Sequence, residues 1–355
     1  MPPEAPVEVP AFWAEACRLS ARVDLRPLVP LLRRQAPPDP QALTAAGVAP
    51  RHVRRLLGGA PVSTRHPFLR LVDDAYPPLL AQVEHPPAVL FLRGNPALLD
   101  APRIAVVGSR SCTPKGRRMA GRLAQAIAQG GGVVVSGLAH GIDQAAHEAS
   151  LSRTIAVLGQ GLDQPLTRRQ ADLARRIIDA GGLLVSEFLP THPASRYTFP
   201  QRNRVIAGLS KATVVVEAGR RSGALVTARL ALAAGREVLA VPGSPLDPAS
   251  VGCLDLIADG AALARDGRDI QPYLQGTPAE GAASPSGGPP GPDPTPPPGM
   301  SRPLYDALAE GCSLDVLAAR VGAPVYEVSA TLAALELTGV VERLPGERFV
   351  LRSHP

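Results

Sequence analysis

Aromatic residues are scarce, 3% of the 355-residue chain, with one Trp, five Tyr and six Phe. Ala, Val and Leu must therefore fill whatever core the 45% of apolar residues builds. Lysine is nearly absent; only Lys115 and Lys211 occur. The basic side is almost pure arginine, a planar fork that suits phosphate oxygens. Codon bias explains the shortage of lysine, but not the formal net charge of +6, which favours an anionic partner. Cys17, Cys112, Cys253 and Cys312 are scattered, with no CxxC pair and no His at ligand spacing. Reduced structural thiols are expected, with no metal site and no cofactor. No apolar run is long enough to span a bilayer, and Met1 to Pro10 lacks an apolar h-region. The expectation is a soluble, cytoplasmic protein with no membrane contact.

What is present falls into regions of different composition. Residues up to about 59 read as short helices, with apolar positions at Leu25, Leu28, Leu31, Leu32, Leu43, Val48, Val53, Leu56 and Leu57. There Ala46-Gly47-Val48, followed by Arg51, Arg54 and Arg55, fits either of two readings. One is a helix–hairpin–helix turn, whose helix N-terminus can hold a phosphate; the other is a plain small helical bundle. From about 67 to 274, short β-branched runs at 104–107, 133–136, 154–158, 183–186, 213–216 and 238–241 alternate with helical segments such as 116–129, 171–180 and 224–234. That alternation predicts a parallel sheet covered on both faces, with ligands at the carboxyl ends of its strands. Residues 275–300 are almost all Pro, Gly, Ser, Ala and Thr, the composition of a linker. Beyond it Leu304, Leu308, Leu317, Val321, Val328, Leu332 and Leu335 keep helical spacing, and 340–344 and 348–351 flank Pro345-Gly346-Glu347 as a hairpin. Helices followed by a hairpin describe a winged helix over 301–355.

The strand ends carry the chemistry. Gly108-Ser109-Arg110-Ser111 follows the first strand: a tight turn, free N–H groups, a hydroxyl and a guanidinium, all suited to an anion. It is not a GxGxxG loop, and the second strand ends in Ser136 rather than in an acidic ribose ligand. Ser136-Gly137-Leu138-Ala139-His140-Gly141-Ile142-Asp143 follows that strand, with His147 one helical turn beyond Asp143. Asp143 is read as a helix cap and His147 as a packed side chain, in preference to a catalytic pair. Residues 195–204 then place three arginines, Asn203, Tyr197 and Phe199 within ten positions, in a chain poor in aromatics. Aromatic faces stack unpaired bases at about 1–3 kcal/mol each while arginines hold phosphates; the competing reading makes Tyr197 and Phe199 core anchors. Another Gly- and Ser-bearing turn, 217–227, opens a helix after the fifth strand.

Together these stretches resemble the bacterial DNA-processing protein A (DprA/Smf) family. The matching text is VVGSR at 106–110, VVSGLAHGIDQAAH at 134–147, TIAVLGQGLD at 154–163, FPQRNRVIAGLS at 199–210, VVVEAGRRSGALVTARLA at 214–231 and GREVLAVPGS at 235–244. YPPLLAQVEHPPAVLFLRGN at 76–95 matches the start of the family's core. The resemblance implies an α/β fold: an extended Rossmann-like parallel-sheet core (67–274), flanked by an N-terminal SAM-like or helix–hairpin–helix-like module (1–62) and a C-terminal winged helix. It implies a non-enzymatic protein that binds and protects single-stranded DNA, dimerises, and loads the RecA recombinase during natural transformation and recombination. By resemblance Arg110 holds phosphate, Phe199 stacks a base, and Arg196, Arg202, Asn203 and Arg204 line the DNA groove. Gly108, Ser109, Ser136, Gly137, Gly141, Ser222 and Gly223 build the phosphate loops, and Lys115, Arg168 and Arg169 join them as DNA contacts. The dimer contact points to Leu254, Ile257 and Leu263.

One stretch and one further position depart from the family pattern. Gln164 to Gln170 replaces a YPxxN-like stretch and Lys, so that Arg168 or Arg169 stands in for the lysine, and Asp255 stands where Asn is common. Two other functional classes fit the residues less well. A nucleotide-cleaving enzyme of the lysine-decarboxylase-like group would carry a PGGxGTxxE loop, which 217–227 lacks. A duplex-reading regulator would need Arg or Lys on its recognition helix, and 324–337 offers Tyr326, Glu327 and Glu336 instead.

Overall fold

The computed structural model describes residues 6–19, 25–33, 39–274 and, within 301–351, all but 302–303, 306–307, 309–311, 338–339 and 345–347. The expected linker at 275–300 and the turn at 345–347 lie outside the described residues. The chain divides into two compact units, residues 1–281 and 282–355.

Five short runs in the first unit are buried at every position: β5 (Arg103–Val107), β6 (Val133–Ser136), β7 (Thr154–Val157), β8 (Leu183–Ser186) and β9 (Ala212–Val215). Strands buried on both faces need no polar alternation, and β-branched side chains suit the pleat. With β10 (Glu237–Ala240) and β11 (Ala262–Leu263) they form the parallel part of a nine-stranded sheet of order β11-β10-β9-β5-β6-β7-β8-β4-β3, in which β3 is Phe68–Arg70 and β4 is Val89–Gly94. The connecting helices are α6 (Pro114–Gln129), α7 (Ile142–Glu148), α8 (Arg168–Asp179), α9 (Thr198–Leu209), α10 (Gly223–Ala233) and α11 (Val251–Ala258), with α12 (Gln271–Leu274) after β11. Side chains start several of them. Thr113 accepts from the Gly116 N–H at 3.0 Å and Ser222 from the Ala224 N–H at 3.3 Å, while Thr167 and Gln170 form a capping box on α8.

The sheet is not wholly parallel. β3 (Phe68–Arg70) and β4 (Val89–Gly94), joined through α5 (Pro78–Ala81), add an antiparallel edge on β8. No crossover helix precedes β5, so nothing forces those two strands into the common direction. Consecutive strands β5 to β8 proceed to one side, and β9 to β11 return on the other side of β5. The loops after β5 and β9 therefore diverge, and this switch point is where an open α/β sheet leaves its crevice.

The N-terminal elements are β1 (Val7–Val9), α1 (Ala11–Leu19), α2 (Val29–Leu32), α3 (Pro40–Ala45), α4 (Pro50–Leu57) and β2 (Val62–Thr64), with β1 and β2 paired antiparallel. Gly47 sits at positive φ in the turn between α3 and α4. Trp13, Leu28, Leu43 and Leu56 share one apolar cluster with Val89 and Phe91 of β4, so these elements are built onto the sheet rather than tethered to it. As the composition demands, small aliphatic side chains dominate that core.

In the second unit the helices Leu314–Val321 and Val325–Leu337 precede the hairpin of β13 (Val341–Leu344) and β14 (Arg348–Leu351), with β12 (Cys312–Ser313) on its other side. Leu308, Leu317, Val328, Leu332, Val341 and Phe349 close its core, which is the winged-helix arrangement.

Candidate nucleic-acid interface

A cleft of ≈ 540 Å³ opens at the switch point. Its walls are Gly108 to Ser111 after β5, Ala139 and Asp143 after β6, Asn203 and Ile206 of α9, and Gly219 with Ser222 to Ala224 after β9. The structure thus brings Gly108, Ser109, Arg110, Asn203, Ser222 and Gly223, 95 to 115 positions apart in sequence at the extremes, around one opening. Arg110 is exposed, and its guanidinium carbon lies 5.8 Å from the centre of the Phe199 ring. Phe199 is half-buried against Gly159. Gly223 begins α10 with open space before it, so the positive end of an eleven-residue helix faces the cleft, with the Ala224 and Leu225 N–H groups already taken by Ser222.

The loops are locked by internal bonds. Ser109 N–H donates to the Glu217 carbonyl at 2.7 Å, and the Glu217 carboxylate accepts from the Thr113 N–H at 2.8 Å. Asp143 accepts from the N–H groups of Gly137 (3.1 Å) and Ala139 (3.3 Å), so it holds the loop before α7 rather than capping that helix. Gly141 is obligatory, because its φ is +83° and a Cβ would stand 2.3 Å from the Ser109 carbonyl. Leu138 is the only non-glycine at positive φ among the described residues, a strain its neighbours must sustain.

His147 is spoken for. It accepts from the Leu138 N–H at 3.3 Å through Nε2, while Nδ1 lies 2.7 Å from Thr154 Oγ1, which bonds the Val134 carbonyl at 3.0 Å. Complete burial, with Arg202 nearby, pulls its pKa down to about 3. A neutral imidazole with both nitrogens engaged is a structural acceptor, and general-base chemistry with Asp143 has no geometry here. Among the described residues no group of three or more His, Cys, Asp or Glu converges as a metal would require.

Several expected ligands need correcting. Ser136 is wholly buried and donates to the Val106 carbonyl at 2.6 Å, so its hydroxyl serves the sheet. Gly137 and Gly141 are buried supports of the loop and not part of its open surface. Arg202 is 3% exposed and donates to the carbonyls of Gly137 (2.7 Å) and Val157, forming the floor of the cleft. Burial lowers its pKa to about 10 against the opposing effect of Asp143, so it stays cationic at neutral pH. Arg204 pairs with the buried carboxylate of Glu187. On α9 two residues turn through about 200°, so Arg202 and Arg204 cannot face the same groove. Arg196 is exposed, with its guanidinium carbon 4.8 Å from the Tyr197 ring centre, and lies outside the cleft lining.

The remaining expected contacts lie outside the cleft lining. Lys115 is exposed on the first turn of α6. Arg168 and Arg169 begin α8 and line a neighbouring basic cavity with Arg117 and His140, and Arg169 lies 3.4 Å from His140. Gln170, in the departing stretch, donates to the Leu138 carbonyl at 3.0 Å and so braces the same loop. Asp255 lies 4.0 Å from Arg220 at the surface. Thr227 and Gly219 line the cleft but had not been singled out, although Gly223 and Thr227 are one helical turn apart and share a face of α10.

An open, doubly wound sheet with a hydroxyl- and guanidinium-lined crevice at its switch point, joined to a winged helix, defines a Rossmann-like binding protein. Residues 67–275 match the family model of DNA recombination-mediator protein A, and residues 288–347 match the DprA winged helix domain, so the chain belongs to the DprA/Smf DNA-processing family. It is 40% identical over 294 residues to Protein Smf of Escherichia coli K12, covering 81% of this chain and 78% of that protein. It is 42% identical over 209 residues to DNA processing protein DprA of Streptococcus pneumoniae, covering 58% and 73%. The X-ray structure of the Streptococcus pneumoniae protein superposes with a TM-score of 0.65 at 32% identity, over 76% of this chain and 100% of that one. A structure addressing the single-stranded DNA binding mode of DNA processing protein A from Helicobacter pylori superposes with a TM-score of 0.54 at 27% identity, over 59% and 95%.

Two outcomes follow from this geometry. Gly141→Ala should lower unfolding free energy in urea by more than about 1 kcal/mol, since the new methyl meets the Ser109 carbonyl in a disfavoured φ region; an unchanged midpoint contradicts the close approach. His147 has a folded pKa below its unfolded value, so its contribution is complete above about pH 6.5 and is lost as pH falls towards 3. His147→Gln should therefore flatten the decline of stability between pH 6.5 and 4 relative to wild type, measured by urea unfolding at each pH.

Proposed function

We propose that this protein binds single-stranded DNA along the switch-point rim without chemical turnover. The observation that carries this reading is the convergence of Ser109 and Arg110, the α10 N-terminus at Ser222 and Gly223, and the Arg110–Phe199 pair on one cleft. Hydroxyls, helix N–H groups and a guanidinium recognise phosphate, while a half-exposed ring stacks an unpaired base. Arg202 adds buried positive charge beneath the rim, and Lys115, Arg168 and Arg169 extend the contact to either side. The Helicobacter pylori relative, studied for its single-stranded DNA binding mode, supports the same ligand here.

On this reading the protein works in the cytoplasm during natural transformation and recombination, where it protects incoming strands and loads RecA onto them. It acts as a homodimer through Leu254, Ile257 and Leu263. Leu263 is 42% exposed on β11, whose outer edge ends the sheet, a surface open to pairing. The helix Val325–Leu337 carries no Arg or Lys, which favours a protein rather than a duplex as its partner.

Competition between single- and double-stranded DNA should favour the single strand, and equal binding overturns the reading. Arg110→Ala should weaken binding and reduce the slope of log K against log salt by about 0.7, the value for one phosphate on a single strand. Phe199→Ala should cost about 1–3 kcal/mol with the slope unchanged; wild-type affinity restores the anchor role. Leu263→Arg should shift sedimentation from dimer towards monomer, and an unshifted dimer moves the interface elsewhere.

A further inference from the structure

The N-terminal module carries a basic surface that the rim does not use. Val53 and Leu56 turn the inner face of α4 into the core, and Arg51, Arg54 and Arg55 occupy exposed positions. Arg18 of α1 joins them around a shallow cavity of ≈ 570 Å³. The one carboxylate there, Glu15, is 9% exposed and takes both Arg18 and Arg55, which leaves Arg51 and Arg54 without an acidic neighbour in that cavity. Four guanidiniums against one carboxylate make the patch complementary to a polyanion.

This patch shares Arg18 with a second cavity that reaches the start of α9. Arg18 also lines the adjoining cavity, together with Phe188, His192 and Tyr197. Tyr197 is 67% exposed, with Arg196 against its ring, and stands two residues before Phe199, whose ring meets Arg110. Cations and an exposed aromatic thus stand together between Arg51 and the start of α9, a combination that suits a strand whose bases are unpaired. A duplex keeps its base faces stacked inside and would leave Tyr197 unused.

We propose that a single strand leaving the rim crosses Tyr197 and continues onto Arg18, Arg51 and Arg54, so that the N-terminal module lengthens the DNA footprint. This rests on the reading that the rim holds single-stranded DNA.

The test uses the full chain with oligo(dT) of about 6 and about 20 nucleotides, a span chosen around known single-strand site sizes, titrated over a range of salt. Wild type should bind the longer strand more tightly and with a steeper salt slope. The Arg51→Ala/Arg54→Ala double variant should lose about 1.4 from the slope on the long strand, two phosphates at about 0.7 each, and bind the short strand as wild type does. Tyr197→Ala should weaken long-strand binding roughly fivefold or more with the slope retained. If Arg110→Ala weakens both strands and the double variant alters neither, the extension fails and the rim stands. A double variant that loses only duplex binding also overturns it. If Arg110→Ala leaves both strands bound as in wild type, the rim reading fails and the extension with it.

Discussion

One buried guanidinium fixes the rim. Arg202 reaches from α9 to the carbonyls of Gly137 and Val157, tying that helix to the ends of β6 and β7 at once. Asp143 nearby favours its charged form and in turn holds the N–H groups of Gly137 and Ala139. The pin also sets the ligand-facing side of α9. Phe199 precedes Arg202 by three residues and lies on the same helix face, which brings its ring beneath Arg110. The position of the aromatic and the rigidity of the loops thus depend on one side chain that itself offers the surface almost nothing.

Rigidity matters because the ligand is itself flexible. Ordering both partners on binding would add their entropy losses, whereas preformed loops leave only the strand to be ordered. The bonds from Ser109 and Thr113 to Glu217 link the loops after β5 and β9, the Ile142 N–H to the Ser109 carbonyl (3.2 Å) ties in the loop after β6, and Gln170 joins that loop to α8 through the Leu138 carbonyl. Positive φ at the non-glycine Leu138 is sustained by the bonds that over-determine this turn.

The strands of the sheet and the small-residue turns behind them were legible in the sequence because both signals are local. An all-buried run such as Ile104 to Val107 and a turn such as Gly108-Ser109-Arg110 can be read without knowing their neighbours. The antiparallel edge was not legible, since strand direction depends on connections and β3 and β4 precede any crossover. Residues 195–204 misled for a related reason. As a string they form one basic cluster, yet helix periodicity sends Arg202 inward and Arg204 to Glu187, while Arg196, ahead of the helix, lies against Tyr197. Ser136 likewise reads as a phosphate ligand until the strand pleat directs it at the Val106 carbonyl.

The arginine excess resolves in the same physical terms. Arg103 bonds the carbonyls of Leu209 (2.6 Å) and Ala101 (3.0 Å), Arg153 that of Gly132 (2.9 Å) and Arg236 that of Leu79 (3.0 Å). Others, including Arg70, Arg175, Arg265 and Arg268, pair with nearby carboxylates. The planar fork can bridge two carbonyls of different segments, a task for which an ammonium has the wrong shape. Carbonyl acceptors leave the charge intact, so Arg202 still contributes positive potential through a medium that screens poorly. Arg103 starts β5, at the end of the strand away from the rim, and its equal charge is spent on chain crossings there. Net charge alone therefore does not determine where a polyanion lies on this surface. What decides it is which guanidiniums stand at the carboxyl ends of the strands, and whether a carboxylate has already taken them.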